Sequence, residues 1–106
     1  MRDLVADGGR IEHPVSRLEA LFLLWEAAFP LDIPATARVF DAFRSACTDA
    51  ASWKAGDRLE LALLTLATRD RARASEVAKT MPDGKYKTRV IKKLNAGEKR
   101  EPRGFF

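Results

Sequence analysis

One cysteine and one histidine are all that the 106 residues contain of those types. A single thiol, Cys47, excludes an internal disulfide. A zinc site draws several ligands from Cys and His, so no metal or cofactor is expected. Cys47 falls on an apolar helix face and His13 precedes Pro14 in a loop. That placement fits a small packed thiol and a loop histidine better than a nucleophile and its base. No apolar run approaches the roughly 18 residues of a membrane span, and the longest, Ala20–Trp25, lies between Glu19 and Glu26. The N-terminal MRDLVADGG lacks the apolar core of a signal peptide. A cytoplasmic location with no membrane partner is the expectation. Phosphate-cradling glycine loops are missing as well: DGGR (7–10) and PDGK (82–85) lack the flanking strand and spacing, and PDGK reads as a turn. Acidic residues are scattered at cap positions or helix exteriors with no convergent pair, so catalysis is not expected.

Strand-like alternation and hairpin dipeptides are also absent. What is present is a helical period over almost the whole chain. A first helix is expected over about 15–29, opened by Ser16 and Glu19 as a capping box. Val15, Leu18, Leu21, Phe22, Trp25 and Phe29 share one face of it, and Leu23 and Leu24 fall outside that face. A helix apolar on more than one side is either central in the core or offers its second side to a partner. Asp32 and Pro34 open a second, amphipathic helix over about 34–51. SWKAGD (52–57) reads as a connector, with Asp57 and Glu60 repeating the capping pattern before a leucine-rich helix over about 58–69. A fourth helix is expected over about 71–81 and a fifth over about 85–95, closed by Gly97. Residues 1–14 read as an irregular lead-in, 15–96 as the helical domain, and 97–106 as a charged tail ending in Phe105 and Phe106.

Charge is unevenly placed. Residues 1–68 hold seven Lys/Arg and ten Asp/Glu, whereas residues 69–106 hold twelve and five. Such asymmetry points to an anionic partner for the second part, or to contact between the two parts. The densest stretch is KYKTRVIKKL (85–94). Lys85, Arg89, Lys92 and Lys93 occupy about a 100° arc of a helix, with Tyr86, Val90, Ile91 and Leu94 opposite. The cations at 85, 89 and 93 repel one another at i, i+4 spacing, and no acidic residue inside this helix relieves them. Arg69, Arg71 and Arg73 form a second cluster. Together these seven are the candidate anion or nucleic-acid contacts. Six of the nine aromatic residues lie in the acidic part, which disfavours single-strand stacking and leaves backbone binding open. FLLWEAAFPLDIPATARVF has the rhythm of a helix-turn-helix, but the helix that follows it is too apolar to lie on DNA.

A faint repeat is also visible. RLEALFLLWEAA (17–28) matches RLELALLTLATR (58–69) at an offset of 41, and ARVFDAF (37–43) matches ASEVAKT (74–80) at an offset of 37. In each unit a strongly apolar helix precedes an amphipathic one, the logic of helical-hairpin repeats. On these residues, and on LLTLATRDRARASEVAKTMPDG (63–84), the chain resembles the tetratricopeptide and pentatricopeptide class. That resemblance implies a scaffold that binds other macromolecules. The expected fold is all-α, with four to five antiparallel helices as stacked hairpins or a small bundle. The expected role is a non-catalytic protein–protein interaction module, such as an adaptor, chaperone or assembly subunit. Leu23, Leu24, Phe105 and Phe106 are its candidate partner contacts, and self-association is a further option. Nucleic-acid binding through the basic C-terminal helices is the alternative.

Overall fold

The computed structural model describes residues 13–31, 33–50 and 53–102. Among these the chain is all-α: α1 (Pro14–Ala28), a 3-10 turn (Phe29–Leu31), α2 (Pro34–Ala50), α3 (Trp53–Leu66), α4 (Arg71–Lys79) and α5 (Lys85–Asn95), with no strand. No described helix is long and apolar enough to cross a membrane. Internal contacts divide the chain into two units, one holding the residues up to Ala55 together with Pro102, the other Gly56–Glu101.

In the first unit α1 starts two residues before Ser16, so Ser16 is not its cap. His13 is: its Nδ1 accepts from the Ser16 amide at 3.2 Å, and Pro14 fills the first helical position. Proline is favoured there because its missing N–H has no partner to lose. Asp32, expected to cap α2, lies outside the described residues. Thr36 works from inside the helix instead. Its hydroxyl accepts from the Ile33 amide at 3.3 Å and donates to the Ala28 carbonyl at 3.1 Å, tying the turn to both helices. Arg17 reaches Asp49 at 2.8 Å, which sets the start of α1 beside the end of α2 and makes the pair antiparallel. Their shared core is aromatic. Trp25 lies 5.1 Å from Phe29 and 5.3 Å from Phe40 between ring centroids, and Phe22 lies 5.7 Å from Phe43, all in tilted arrangements. Leu18, Leu21, Trp25 and Phe43 are buried, each contributing roughly 1.5–3 kcal/mol of transfer free energy.

Helix α3 begins five residues earlier than the expected Arg58. SWKAGD is not a connector from Trp53 onward, and Asp57 lies inside the helix with its carboxylate on the Arg58 guanidinium. Gly56 sits within the helix. A Cβ there would lie 2.7 Å from Tyr86 Cγ and Cδ2. Its glycine marks a close helix approach, not a turn. The helix ends at Leu66, three residues short of expectation, and α4 starts at Arg71 after Asp70, whose side chain accepts from the Arg73 amide at 3.0 Å.

Helix α5 has the expected bounds and the expected end. Gly97 takes φ 82, a left-handed conformation that favours glycine. Its amide donates to Leu94, and that of Glu98 donates to Lys93. These two bonds are the paired closure of a Schellman motif. Arg71 adds a second closure. Its guanidinium donates to the carbonyls of Leu94, Gly97 and Glu98 at 3.0, 3.2 and 3.1 Å. The start of α4 therefore lies beside the end of α5, and the two run antiparallel. Residues 56 and 60 of α3 meet 86 and 89 of α5 in the same order, so those two helices run parallel. Beyond Gly97 the tail is tied down: the Arg100 amide donates to Leu64 O, and its guanidinium to the Thr65 hydroxyl at 2.9 Å.

Candidate functional site

Two surfaces, one in each unit, bear on function. The first is the outer side of α1. At 100° per residue, Ala20, Leu23, Leu24 and Ala27 lie around the side opposite Leu18, Phe22, Trp25 and Phe29, and Leu31 follows in the 3-10 turn. Leu23 is 49% exposed and Leu31 65%, Leu24 is half-buried, and Ile33 in the following turn is 46% exposed. The only ionisable residue from Ala20 to Leu31 is Glu26, and it is buried. An ordinary surface helix puts charge on its outer face, whereas here that face carries none over three turns. The charges nearest the strip, at its N-terminal end, are held within the unit: Arg17 by Asp49, and Glu19 by Lys54 at 2.7 Å. Leu23 and Leu24 were legible as a surplus over one core face. Leu31 and Ile33 were not, because the flanking prolines made that segment read only as a turn. Trp53, 62% exposed and lying under the Lys54 ammonium at 5.5 Å, was hidden in the supposed connector.

The second surface is the basic face of α5. Its repulsive row is relieved from another helix. Glu60 on α3 is 4% exposed, and Arg89 engages it with two bonds: Nε to Oε1 at 2.8 Å and Nη2 to Oε2 at 2.7 Å. Lys93 Nζ stands 3.2 Å from Oε1. Burial alone would raise the Glu60 pKa. The hydrogen bonds and charges of Arg89 and Lys93 outweigh it and hold the carboxyl below its ordinary value of 4.5. The same carboxylate raises Arg89. The Asp57/Glu60 spacing mimicked a cap, which concealed that Glu60 points along α3 toward α5.

The other cations divide. Arg71 closes α5 and is not an outward contact. Arg73 is exposed and lies 3.8 Å from Glu76; Arg69 is exposed at the turn before α4. Lys85 is exposed with its ammonium 5.3 Å over Tyr86, whose ring also lies under Arg89 at 5.0 Å. Lys92 is exposed and lines a shallow open groove of about 540 Å³ along α5, with Asp83, Gly84, Lys87, Thr88, Ile91 and Asn95. Lys87 pairs with Asp83 at 3.2 Å across one turn. The antiparallel α4–α5 pair brings the start of the Arg69–Arg73 cluster toward the Lys92–Lys93 end of the row, away from Lys85. Phe105 and Phe106 lie outside the described residues. No family model, curated protein or solved structure matches this chain.

Proposed function

We propose that this chain is a non-catalytic protein-interaction module that docks a partner protein through the outer side of α1. The observation that carries the reading is the uncharged strip Ala20–Leu23–Leu24–Ala27–Leu31. It lies opposite a complete aromatic core, so the core does not need it. Leaving such a strip in water forgoes roughly 25 cal/mol for each Å² of apolar surface a partner would cover. A contiguous exposed apolar patch on an otherwise ordinary helical unit is the usual mark of a protein contact.

Nucleic-acid binding through the basic helices draws less support. Arg89 and Lys93 are committed to Glu60, Arg71 to backbone carbonyls, and the Tyr86 ring to Gly56. Lys85, Lys92 and Arg73 remain exposed. The test is crosslinking in cells that make the protein, comparing the wild type with Leu23→Glu. Loss of the crosslinked partner, with an unchanged circular dichroism spectrum, supports the reading. Retention of every crosslinked protein by the variant overturns it, as does a wild type whose only co-purifying material is removed by nuclease.

A further inference from the structure

We infer that the segment after α5 is a releasable strap: Arg100 latches it onto the C-terminal end of α3 and thereby fixes where that helix stops. The inference is independent of the α1 surface. It starts from the last four carbonyls of α3, which have no partner inside the helix. Leu63 accepts from the Ala67 amide, Thr65 from the Thr68 amide and hydroxyl, and Leu66 from the Arg69 and Asp70 amides. These closures are local. Leu64 is closed from a distance, by the Arg100 amide at 3.0 Å. The amide that would take Leu64 if the helix ran on is that of Thr68, four residues later. It bonds the Thr65 carbonyl at 3.1 Å instead, in 3-10 fashion. Tail and helix are thus alternative partners of one carbonyl.

The side chain of Arg100 completes the latch. Its guanidinium donates to the Thr65 hydroxyl at 2.9 Å, and that hydroxyl donates to the Leu61 carbonyl at 2.9 Å. Thr65 is fully buried and its one proton goes to Leu61, so the oxygen is left to accept from a donor such as Arg100. The chain just before the latch is held from α4, where Arg71 donates to the carbonyls of Gly97 and Glu98. Lys99 and Glu101 on either side of Arg100 are exposed. A hydrogen bond of ordinary net strength favours the closed strap by a factor of roughly 2–13. A latch of one residue is therefore far weaker than a whole domain, whose folded state outweighs the unfolded one by roughly 10³–10⁸. The strap opens while the helices stay folded. On opening, Leu64 takes the Thr68 amide, and α3 lengthens into the turn whose Asp70 caps α4. The position of the tail is in this way coupled to the junction between two helices.

Native-state hydrogen exchange of the full chain, read by NMR, tests this. In the wild type the Arg100 amide should exchange roughly 5- to 100-fold more slowly than in an unstructured peptide, yet faster than the slowest amides of α3 and α5. Thr65→Val keeps the shape of the side chain and loses the hydroxyl; it should speed exchange at Arg100 about 5-fold, and Thr65→Ser should restore it. Arg100→Pro removes both donors. It lies outside every helix, so it keeps the fold even if a change at buried Thr65 does not. It should leave the helical spectrum in place and move the carbon shifts of Leu66 to Thr68 toward α-helical values. An Arg100 amide as fast as in a free peptide overturns the inference, because there is then no strap. One that exchanges only with the slowest helical amides overturns it too, because the strap then opens only on unfolding. So does an exchange rate indifferent to Thr65→Val, or an Arg100→Pro chain whose Leu66–Thr68 shifts stay where they were.

Discussion

Glycine inside a helix is destabilising by about 1 kcal/mol relative to alanine, so Gly56→Ala would ordinarily strengthen α3. Here it should do the reverse. The added Cβ would lie 2.7 Å from Tyr86 Cγ and Cδ2 and 3.2 Å from Tyr86 Cβ. Cβ and Cγ lie at the root of the side chain, so spinning the ring about the Cβ–Cγ bond cannot clear them, and either the Tyr86 rotamer or α5 itself must shift. Overpacking of this kind costs about 2–3 kcal/mol. Against the 1 kcal/mol gained in helix propensity, the net loss is about 1–2 kcal/mol. For a chain of this size that lowers the thermal midpoint by roughly 5–10 °C.

The sign should depend on Tyr86. In a Tyr86→Ala background the clash is gone, and Gly56→Ala should then stabilise by about 1 kcal/mol. The coupling between the two positions is therefore about 2–3 kcal/mol, well above the few tenths expected of independent sites. Urea unfolding of the four proteins, followed by circular dichroism, measures all of these quantities. If Gly56→Ala stabilises the chain in both backgrounds, the helices do not approach at this point.

Glu60 predicts an acid limb. Its folded pKa lies below its unfolded one, so its contribution is complete above about pH 4.5 and is lost as pH falls through the folded value. Glu60→Gln should flatten the fall in thermal midpoint between pH 5 and pH 3; an unaltered slope would mean the cations do not hold this carboxylate. Within the α5 row, Arg89→Gln should lower the midpoint at pH 7 while Lys85→Gln leaves it unchanged, since of these two Arg89 alone is bonded to Glu60; equal effects would refute that division. Cys47 is buried, and desolvation pushes its thiol to about 12. A thiol reagent at pH 8 should therefore modify it only as the chain unfolds, and labelling as rapid in buffer as in urea would place the residue at the surface.

The features legible in the sequence were those set by local period. The bounds of α2 and α5 follow from an amphipathic repeat with a proline at one start and a glycine beyond one end. Gly97 is read correctly because its role is decided within one turn. The errors occur where a distant residue decides. Ser16 matches a cap, but His13 with Pro14 offers an earlier one, and histidine is seldom considered for that position. Gly56 looks like punctuation until Tyr86, thirty residues away, needs the space. Glu60 looks like half of a cap until Arg89 and Lys93 arrive from another helix. The surplus of Leu23 and Leu24 could be seen from α1 alone, because a helical wheel counts faces. That Leu31 and Ile33 extend it depended on how the 3-10 turn exposes them.

The charge asymmetry changes meaning once the fold is known. Divided at residue 68, the chain is acidic and then basic. But Glu60 lies before that division and its two cations after it, so one acidic charge counted with the first part offsets basic charge of the second inside one unit. An excess persists even so: Gly56–Glu101 holds twelve Lys/Arg against seven Asp/Glu. Charge of this kind acts at range and is screened by salt over about 10 Å at 0.1 M. The α1 strip works by contact and carries no exposed charge. The two surfaces are thus separable by one variable. Association through the strip should hold its strength, or gain slightly, between 50 and 500 mM salt, because apolar burial is not screened. Binding that depends on Lys85, Lys92, Arg69 and Arg73 should fall steeply over the same range, with a slope that counts the ions released. A partner association that collapses with added salt would mean that the basic unit, and not α1, holds the partner.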